Sequence, residues 1–226
     1  MGKVQAHLAE HGTTWFAHYQ NAGKGQRGKQ WNAERSQNIM MSCVLEPYTL
    51  LVDDQFILNA AITLGCFDFF NENAIDCTSI KWPNDIYWRD RKAGGILIEN
   101  VLKGEKWKYS VVGIGLNINQ TLFPGKLRNP VSLKQITGKA FNVIALAKEL
   151  CSHLERRWKQ LLLPDNNTLI EEYNQHLYKI NQLAFFKKGE EEFSAFVKGV
   201  NRKGELLVEK ENNSIEGYHS LEWVLP

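Results

Sequence analysis

The chain has no C-x-x-C pair; Cys43, Cys66, Cys77 and Cys151 are scattered along it. That spacing argues against a zinc site and for reduced, partly buried thiols. No signal peptide is visible, and no apolar run approaches the ~18 residues that a membrane span needs. Internal repeats and low-complexity tracts are absent as well. Net charge is small: 27 basic against 25 acidic side chains leave +2, too little to predict nucleic-acid binding by itself. From these absences we expect a soluble cytoplasmic protein with no DNA or membrane partner. Aromatic residues at 11% and hydrophobic residues at 43% exclude a disordered chain. The 226 residues can bury one good core and leave room for a small second domain.

Periodicity places the elements. Residues 3–9 read as the end of a helix stopped at Gly12, and residues 15–20 as a first strand. Residues 39–45 form a buried strand ending at Pro47. Asp53 or Asp54 can cap a helix to about Phe70, with Phe56, Ala60, Leu64 and Phe67 on one face. A short strand at 79–82 stops at Pro83, and residues 86–88 follow, with a polar turn at Arg89, Asp90 and Arg91. Residues 95–101 and 107–113 form a hairpin around Lys103, Gly104 and Glu105. Residues 120–138 read as a long irregular loop, the kind that often serves as a lid. A helix at 142–162 turns Val143, Ala147, Leu150, Leu154 and Leu161 inward. Thr168 and Glu171 match a capping box that opens a second helix to about Leu177. After Asn181 short strands with turns at Gly189 and Gly204 suggest a small β-barrel. The domain expectation is 1–180 and 181–226.

Two stretches carry the chemistry. Gly23-Lys24-Gly25-Gln26-Arg27-Gly28 packs three glycines and two cations into six residues. Glycines bring backbone N–H groups close to a ligand, and the cations suit a carboxylate or a phosphate. The loop also matches G-x-G-x-x-G, but a dinucleotide site wants a long amphipathic helix after it. Here polar and aromatic residues follow, then another strand. The second stretch, Lys81-Trp82-Pro83-Asn84-Asp85 running on to Lys92, supplies a fixed turn, an amide, a carboxylate and a lysine. Two lysines, Lys24 and Lys92, near one carboxylate would hold it and offset charge as it attacks a phosphorus. Asp85 is the candidate for holding Mg²⁺ between phosphate oxygens. Asn84 and Asn117 carry both donor and acceptor for adenine edges or ribose hydroxyls. Trp31 either packs in the core or walls an apolar part of a ligand pocket. Taken singly, each has an ordinary reading as a turn or surface residue.

Taken together they form a pattern. Residues 20–31, from Gln20 through the glycine loop to Trp31, resemble the biotin loop of the biotin–protein ligases. Lys81-Trp82-Pro83-Asn84-Asp85, with Arg91-Lys92-Ala93-Gly94-Gly95-Ile96-Leu97-Ile98-Glu99, resembles their second signature. Gly113-Ile114-Gly115-Leu116-Asn117-Ile118-Asn119 resembles the third. Order and spacing also fit, and the resemblance runs from about Lys3 to the end.

The resemblance implies an α/β (α+β) fold: a catalytic domain with a mixed sheet, like that of class II aminoacyl-tRNA synthetases, and a C-terminal SH3-like β-barrel. It implies two half-reactions, biotin plus ATP giving biotinyl-5′-AMP, then transfer to a lysine of a carboxylase's biotin carboxyl carrier domain. The implied catalytic residues are Lys92 and Lys24. Gln20, Gly23, Lys24, Gly25, Gln26, Trp31, Lys92, Gly113 and Gly115 fall at biotin. Arg27, Gly28, Asn84, Asp85 and Asn117 fall at ATP, with Asp85 also at Mg²⁺. Phe123 is read as a cover for the adenylate.

Three departures from the family pattern stand out. Lys24 replaces an arginine and loses bidentate geometry, and Gln26 replaces a second arginine found in many members. A Ser-Thr-Asn biotin contact and its strand, upstream of the loop in relatives, are missing here. Too few residues precede the loop for the winged helix of repressor members, so a monofunctional ligase, monomer or homodimer, is expected. The sister lipoate or octanoate ligases, and a binding module impaired by the missing element, are the alternatives.

Overall fold

The structure is a computed structural model that describes residues 9–104, 106–125 and 129–224, without the Arg27 side chain. The reading of a helix end at residues 3–9 therefore falls almost wholly outside the described residues, as does Glu105. Six strands form the main sheet in the order β1-β4-β8-β7-β6-β5. They are β1 (Thr14–Phe16), β4 (Ile39–Leu45), β5 (Thr78–Lys81), β6 (Asp85–Trp88), β7 (Arg91–Lys103) and β8 (Lys106–Leu116). Between β1 and β4 a two-stranded hairpin, β2 (Gly23–Lys24) and β3 (Gln30–Trp31), carries the glycine loop.

Pairing between these strands is antiparallel. Parallel direction enters through isolated bridges, Ile80 with Leu177 and Lys92 with Pro130. The first strand is shorter than expected. After Phe16 the chain makes one more bond, Ala17 N to Met40 O at 2.9 Å, and then turns away into the hairpin.

Alternation along the strands sends two sets of side chains to opposite faces. Ile39, Met41, Cys43 and Leu45, with Val112, Ile114 and Leu116, belong to the main core. Val44 and Val111 form a separate small cluster with Trp15 and Tyr109 on the other face. The first face is covered by α1 (Gln55–Asn73) and α3 (Val143–Leu161).

Helix α1 is apolar nearly all round, from Ile57 and Leu58 to Phe69 and Phe70. A helix with that pattern must be covered on every side, and the sheet, α3 and α4 (Thr168–Gln175) do so. The single-face reading was therefore too narrow. Helix α3 has the amphipathic stripe expected, and Asn142 caps it by accepting Ile144 N and Ala145 N, both at 3.1 Å. Arg157 of α3 ties the helices together through Asp68 of α1, at 2.7 and 3.0 Å, and Glu172 of α4.

Two local expectations are corrected. The 120–138 segment contains a helix, α2 (Leu133–Thr137), closed by a capping box between Ser132 and Gln135 and ended by Gly138 in the left-handed region. The Thr168–Glu171 box does not form, because Asn167 takes the cap position and Thr168 is already helical.

The last part of the chain folds as a five-stranded antiparallel sheet, order β12-β11-β10-β9-β13. Its strands are β9 (Leu183–Lys188), β10 (Glu191–Val200), β11 (Leu206–Glu209), β12 (Ile215–Tyr218) and β13 (Glu222–Val224). Ala184, Phe186, Val197, Val208 and Trp223 bury its inner face in continuity with the main core. The last strand was not legible in the sequence.

Candidate active site

The strand register builds the site on the sheet face opposite the helices. Met40, Gly115, Gly95 and Asp85 stand side by side across β4, β8, β7 and β6. The neighbouring row is Trp15, Ser42, Gly113 and Leu97. Three adjacent positions on one face of a sheet centre thus carry no side chain. Strand glycines of this kind mark close approach of a ligand or another chain.

The glycine hairpin lies on this floor. Gly23 cannot carry a side chain, since a Cβ there would come within 2.3 Å of Trp31 O. The loop is tightened by Gly25 N donating to Lys29 O at 2.7 Å and by a short 3₁₀ turn at Gln26–Gly28. Its returning arm lays the Trp31 indole on Gly115, so close that a Cβ on the glycine would meet Trp31 Cε2 at 2.5 Å. Trp31 Nε1 is buried and has no hydrogen-bond partner among the described residues. Gly113 is left open: a Cβ there would meet nothing nearer than Leu97 O at 3.6 Å.

At the far end of the first row Lys92 Nζ donates to Asp85 Oδ1 at 2.6 Å, both side chains partly exposed. The pair sits over Gly95, whose added Cβ would meet Asp85 Oδ1 at 3.0 Å and Lys92 Nζ at 3.4 Å. A half-exposed ion pair contributes about 0–1 kcal/mol. Lys92 is oriented by Asp85 but free to exchange it for a better anion.

The backbone of Lys92 is fixed from the other side. Its N–H donates to Asn129 O at 3.0 Å, its carbonyl accepts Val131 N at 2.9 Å, and Arg91 Nη2 reaches Pro130 O at 2.6 Å. The expected lid is therefore anchored to the site at one end. Near its other end a cleft of about 380 Å³ lies between Asn32–Glu34 and Gln120–Pro124, with Phe123 in its wall. A larger cavity of about 640 Å³, between Phe185 and Lys210 on the C-terminal sheet, shares none of these residues. Because the chemistry-bearing side chains lie elsewhere, we place no site in it.

The sequence candidates divide as follows. Lys92, Asp85, Trp31, Gly113 and Gly115 come together on the floor. Gln20, Lys24, Gln26 and Gly28 stand on the exposed hairpin, and Gly25 is partly covered. The Arg27 side chain lies outside the described residues. Asn84 and Asn117 are both buried, at 4% and 5% exposure, and their side-chain NH2 groups donate inside the protein. Asn84 Nδ2 donates to Ile96 O. Asn117 Nδ2 donates to Val131 O at 3.1 Å and Lys92 O at 3.4 Å. In this arrangement those donors hold β7 and the anchored loop.

Sequence reasoning missed several residues that shape the site. Asn38 accepts Ile118 N at 2.9 Å and donates to Gln120, which also accepts Glu34 N. Asn59 and Tyr173 meet at Pro83 O. These partners are 24 to 90 positions apart in sequence, and no local spacing signals them. Burial, with the Asp85 charge adding to it, holds the Tyr173 phenol well above its ordinary range.

Comparison with known proteins places this geometry in context. The model of the biotin/lipoate A/B protein ligase family matches residues 2–117. The bifunctional ligase/repressor BirA of Bacillus subtilis is 30% identical over 158 residues, covering 68% of this chain and 48% of that protein. The biotin–[acetyl-CoA-carboxylase] ligase of Paracoccus denitrificans is 31% identical over 140 residues, covering 57% and 56%. The chain thus spans about half the length of the relatives it matches. Among solved structures, a biotin protein ligase from Aquifex aeolicus in complex with biotin and ATP has a TM-score of 0.82 at 22% identity, covering 96% of this chain and 91% of that one. The fold is the α/β one expected, with a small β unit after the main sheet, and it is shared with that ligase.

Proposed function

The chain belongs to the biotin/lipoate A/B protein ligase family, and we propose that it adenylates biotin with ATP and transfers it to a lysine of a biotin carboxyl carrier domain. The observation that carries this reading is the glycine floor with a cation at its end. Gly113 leaves the floor open, Trp31 lies over Gly115 and closes one side, and Lys92 stands over Gly95, where a carboxylate lying along the floor would end. The buried, unpartnered Trp31 Nε1 supports a ligand with an acceptor to offer.

In the first half-reaction a carboxylate oxygen attacks the α-phosphorus of ATP, and the bond to the bridging oxygen breaks to release pyrophosphate. Lys92 leaves Asp85 for the reacting oxygens and offsets the charge that builds there. The hairpin residues Gly23, Lys24, Gly25 and Gln26, with Gln20, cover biotin. Arg27 and Gly28 are assigned to the nucleotide by the family pattern alone, and Asn84 and Asn117 act by holding the strands beneath it. In the second half-reaction the carrier's lysine amine attacks the acyl carbon and AMP leaves.

Asp85 also fits Mg²⁺. One of its oxygens is engaged by Lys92, leaving the other as a hard donor for an ion that keeps most of its waters and phosphate ligands. Such an ion would supply charge neutralisation at the phosphates. The same reading divides the chain at 180/181 into a biotin- and ATP-binding unit and a C-terminal unit, and assigns it to the cytoplasm. Among the described residues no helix is long and apolar enough to cross a membrane.

The test is mass spectrometry of a biotin carrier domain incubated with the protein, MgATP and either biotin or lipoate. A mass gain of one biotinyl group on one lysine is expected. Modification by lipoate alone would assign the chain to lipoate chemistry instead, and adenylate formation with no transfer would remove the second half-reaction.

A further inference from the structure

One carbonyl oxygen beneath the site is held by two donors from two helices. Pro83 O accepts Asn59 Nδ2 of α1 at 2.8 Å and the Tyr173 hydroxyl of α4 at 3.0 Å. Tyr173 is completely buried, so its hydroxyl has no water to bond instead. Its phenol stays protonated, and therefore a donor, far into the alkaline range. Two residues after Pro83, Asp85 orients Lys92.

The same turn is held from the C-terminal sheet. Trp82 Nε1 donates to Gly204 O at 3.0 Å. Gly204 lies against Phe56, where a Cβ would meet Cδ2 at 2.6 Å, and the Phe56 ring meets Tyr173 edge-on at 5.4 Å. The residue after Tyr173 completes the arrangement. Asn174 Nδ2 donates to Val200 O at 3.0 Å, and Asn174 Oδ1 accepts Val200 N at 2.7 Å. With consecutive residues, α4 grips the C-terminal sheet and the turn that leads to Asp85. This helix lies beyond the residues that the family pattern covers.

We propose that Tyr173, assisted by Asn59, is a positioning residue for adenylation: the two donors fix the Pro83 carbonyl, and through it the direction in which Asp85 presents Lys92. The C-terminal sheet then acts on the first half-reaction through α4, without touching substrate. The inference rests on Lys92 being the residue that meets the reacting carboxylate. A misplacement of about 1 Å at a reacting group can cost on the order of 100-fold in rate. Loss of one of two donors should cost about 10-fold and loss of both about 100-fold on that scale.

Two readouts test it in the full chain, on Tyr173→Phe, Asn59→Ala, the double variant, and Leu150→Val as a core truncation on α3. The first is biotin-dependent ATP–pyrophosphate exchange. Tyr173→Phe and Asn59→Ala should each lower kcat about 10-fold with the biotin KM within about twofold, while Leu150→Val leaves kcat within about twofold. The second does not need activity. Limiting acetic anhydride is used to acetylate lysines, and Lys92 is compared with exposed Lys203. Release of Lys92 from Asp85 should raise its relative labelling about threefold or more in Tyr173→Phe and further in the double variant, but not in Leu150→Val. An unchanged Lys92 ratio in the double variant would overturn the proposal, as would kcat losses equalled by the control. A wild-type protein without exchange would remove the ligation reading, and the labelling ratio alone would then decide the positioning role.

Discussion

Replacing Gly115 and Gly113 one at a time by alanine separates a covered floor position from an open one. At Gly115 the new methyl would stand 2.5 and 2.6 Å from Trp31 Cε2 and Cζ2, distances that no packed carbon tolerates. The sheet is the stiffer partner, because β8 is paired on both sides. The hairpin bearing Trp31 has two residues per strand, so the indole should lift away. A fully buried tryptophan hides about 150–250 Å², worth about 4–6 kcal/mol at ~25 cal/mol per Å². Trp31 is only partly covered, and overpacking typically costs about 1–3 kcal/mol. We therefore expect a loss of about 2 kcal/mol, which lowers Tm by about 4–8 °C in a chain of this size.

At Gly113 the methyl meets only ordinary contacts, beginning with Leu97 O at 3.6 Å. Stability should hold or rise by about 0.4–1 kcal/mol as the unfolded chain loses freedom. Both variants should weaken biotin binding, the second without any thermal penalty. Calorimetry gives Tm, and tryptophan emission, compared with Trp31→Phe, reports whether the indole has left the floor. A Gly115→Ala protein with wild-type Tm and emission would refute the packing of Trp31 on that glycine. A Gly113→Ala protein destabilised as much as Gly115→Ala would refute the open floor.

Gly204→Ala should destabilise the protein by about 1–3 kcal/mol, because the glycine has φ of 82° and its missing Cβ faces Phe56 at 2.6 Å; a denaturant midpoint equal to wild type would count against that packing. His176 stacks on Phe67 at 4.1 Å, and burial holds its imidazole below the usual 6.5, with Arg157 adding to the effect and Asp68 and Glu172 opposing it. A lowered folded-state value means that the unfolded chain takes up the proton first. Stability is thus complete above pH 6.5 and declines as the pH falls through the folded value. Urea midpoints at pH 8 and 5.5 should differ more for wild type than for His176→Phe, and equal differences would contradict this. Burial pushes the Cys43 thiol up to about 12 and the Cys66 thiol well above its ordinary range, while Cys77 is exposed. Alkylation at pH 8 should modify Cys77 first and reach Cys43 and Cys66 only on unfolding; early labelling of Cys43 would refute its burial.

The parts of the fold that were legible in sequence are those governed by local rules. The strand at 39–45 was bounded to the residue, because a run of apolar and β-branched side chains stops at Pro47. Helix α3 was legible from its 3.6-residue stripe, while the Asn142 cap was not read. The Ser132–Gln135 box and Gly138 carried the signal for α2, but the long irregular stretch around them hid it. Thr168 failed as a cap because Asn167, one residue earlier, took the position.

The site was legible in its residue types and not in their arrangement. Gly113 and Gly115 were singled out, yet only the antiparallel register sets Gly95 beside Gly115. Lys92 and Asp85 were both singled out, while their pairing depends on the β6–β7 register and its bulge. Asn84 and Asn117 looked like nucleotide contacts by composition. The structure engages their NH2 groups at Ile96 O and Val131 O, partners that no local spacing signals. Tyr173 was illegible for the same reason, since its partner lies 90 residues away.

The most direct test of the central claim is ATP–pyrophosphate exchange measured with biotin, lipoate and octanoate in parallel, on the wild-type chain and on Lys92→Ala. Exchange with biotin that disappears in the variant is the predicted result, since the floor then ends without a cation. Exchange that survives Lys92→Ala, or that no acid supports, would contradict the account of this floor as the place where a carboxylate meets ATP.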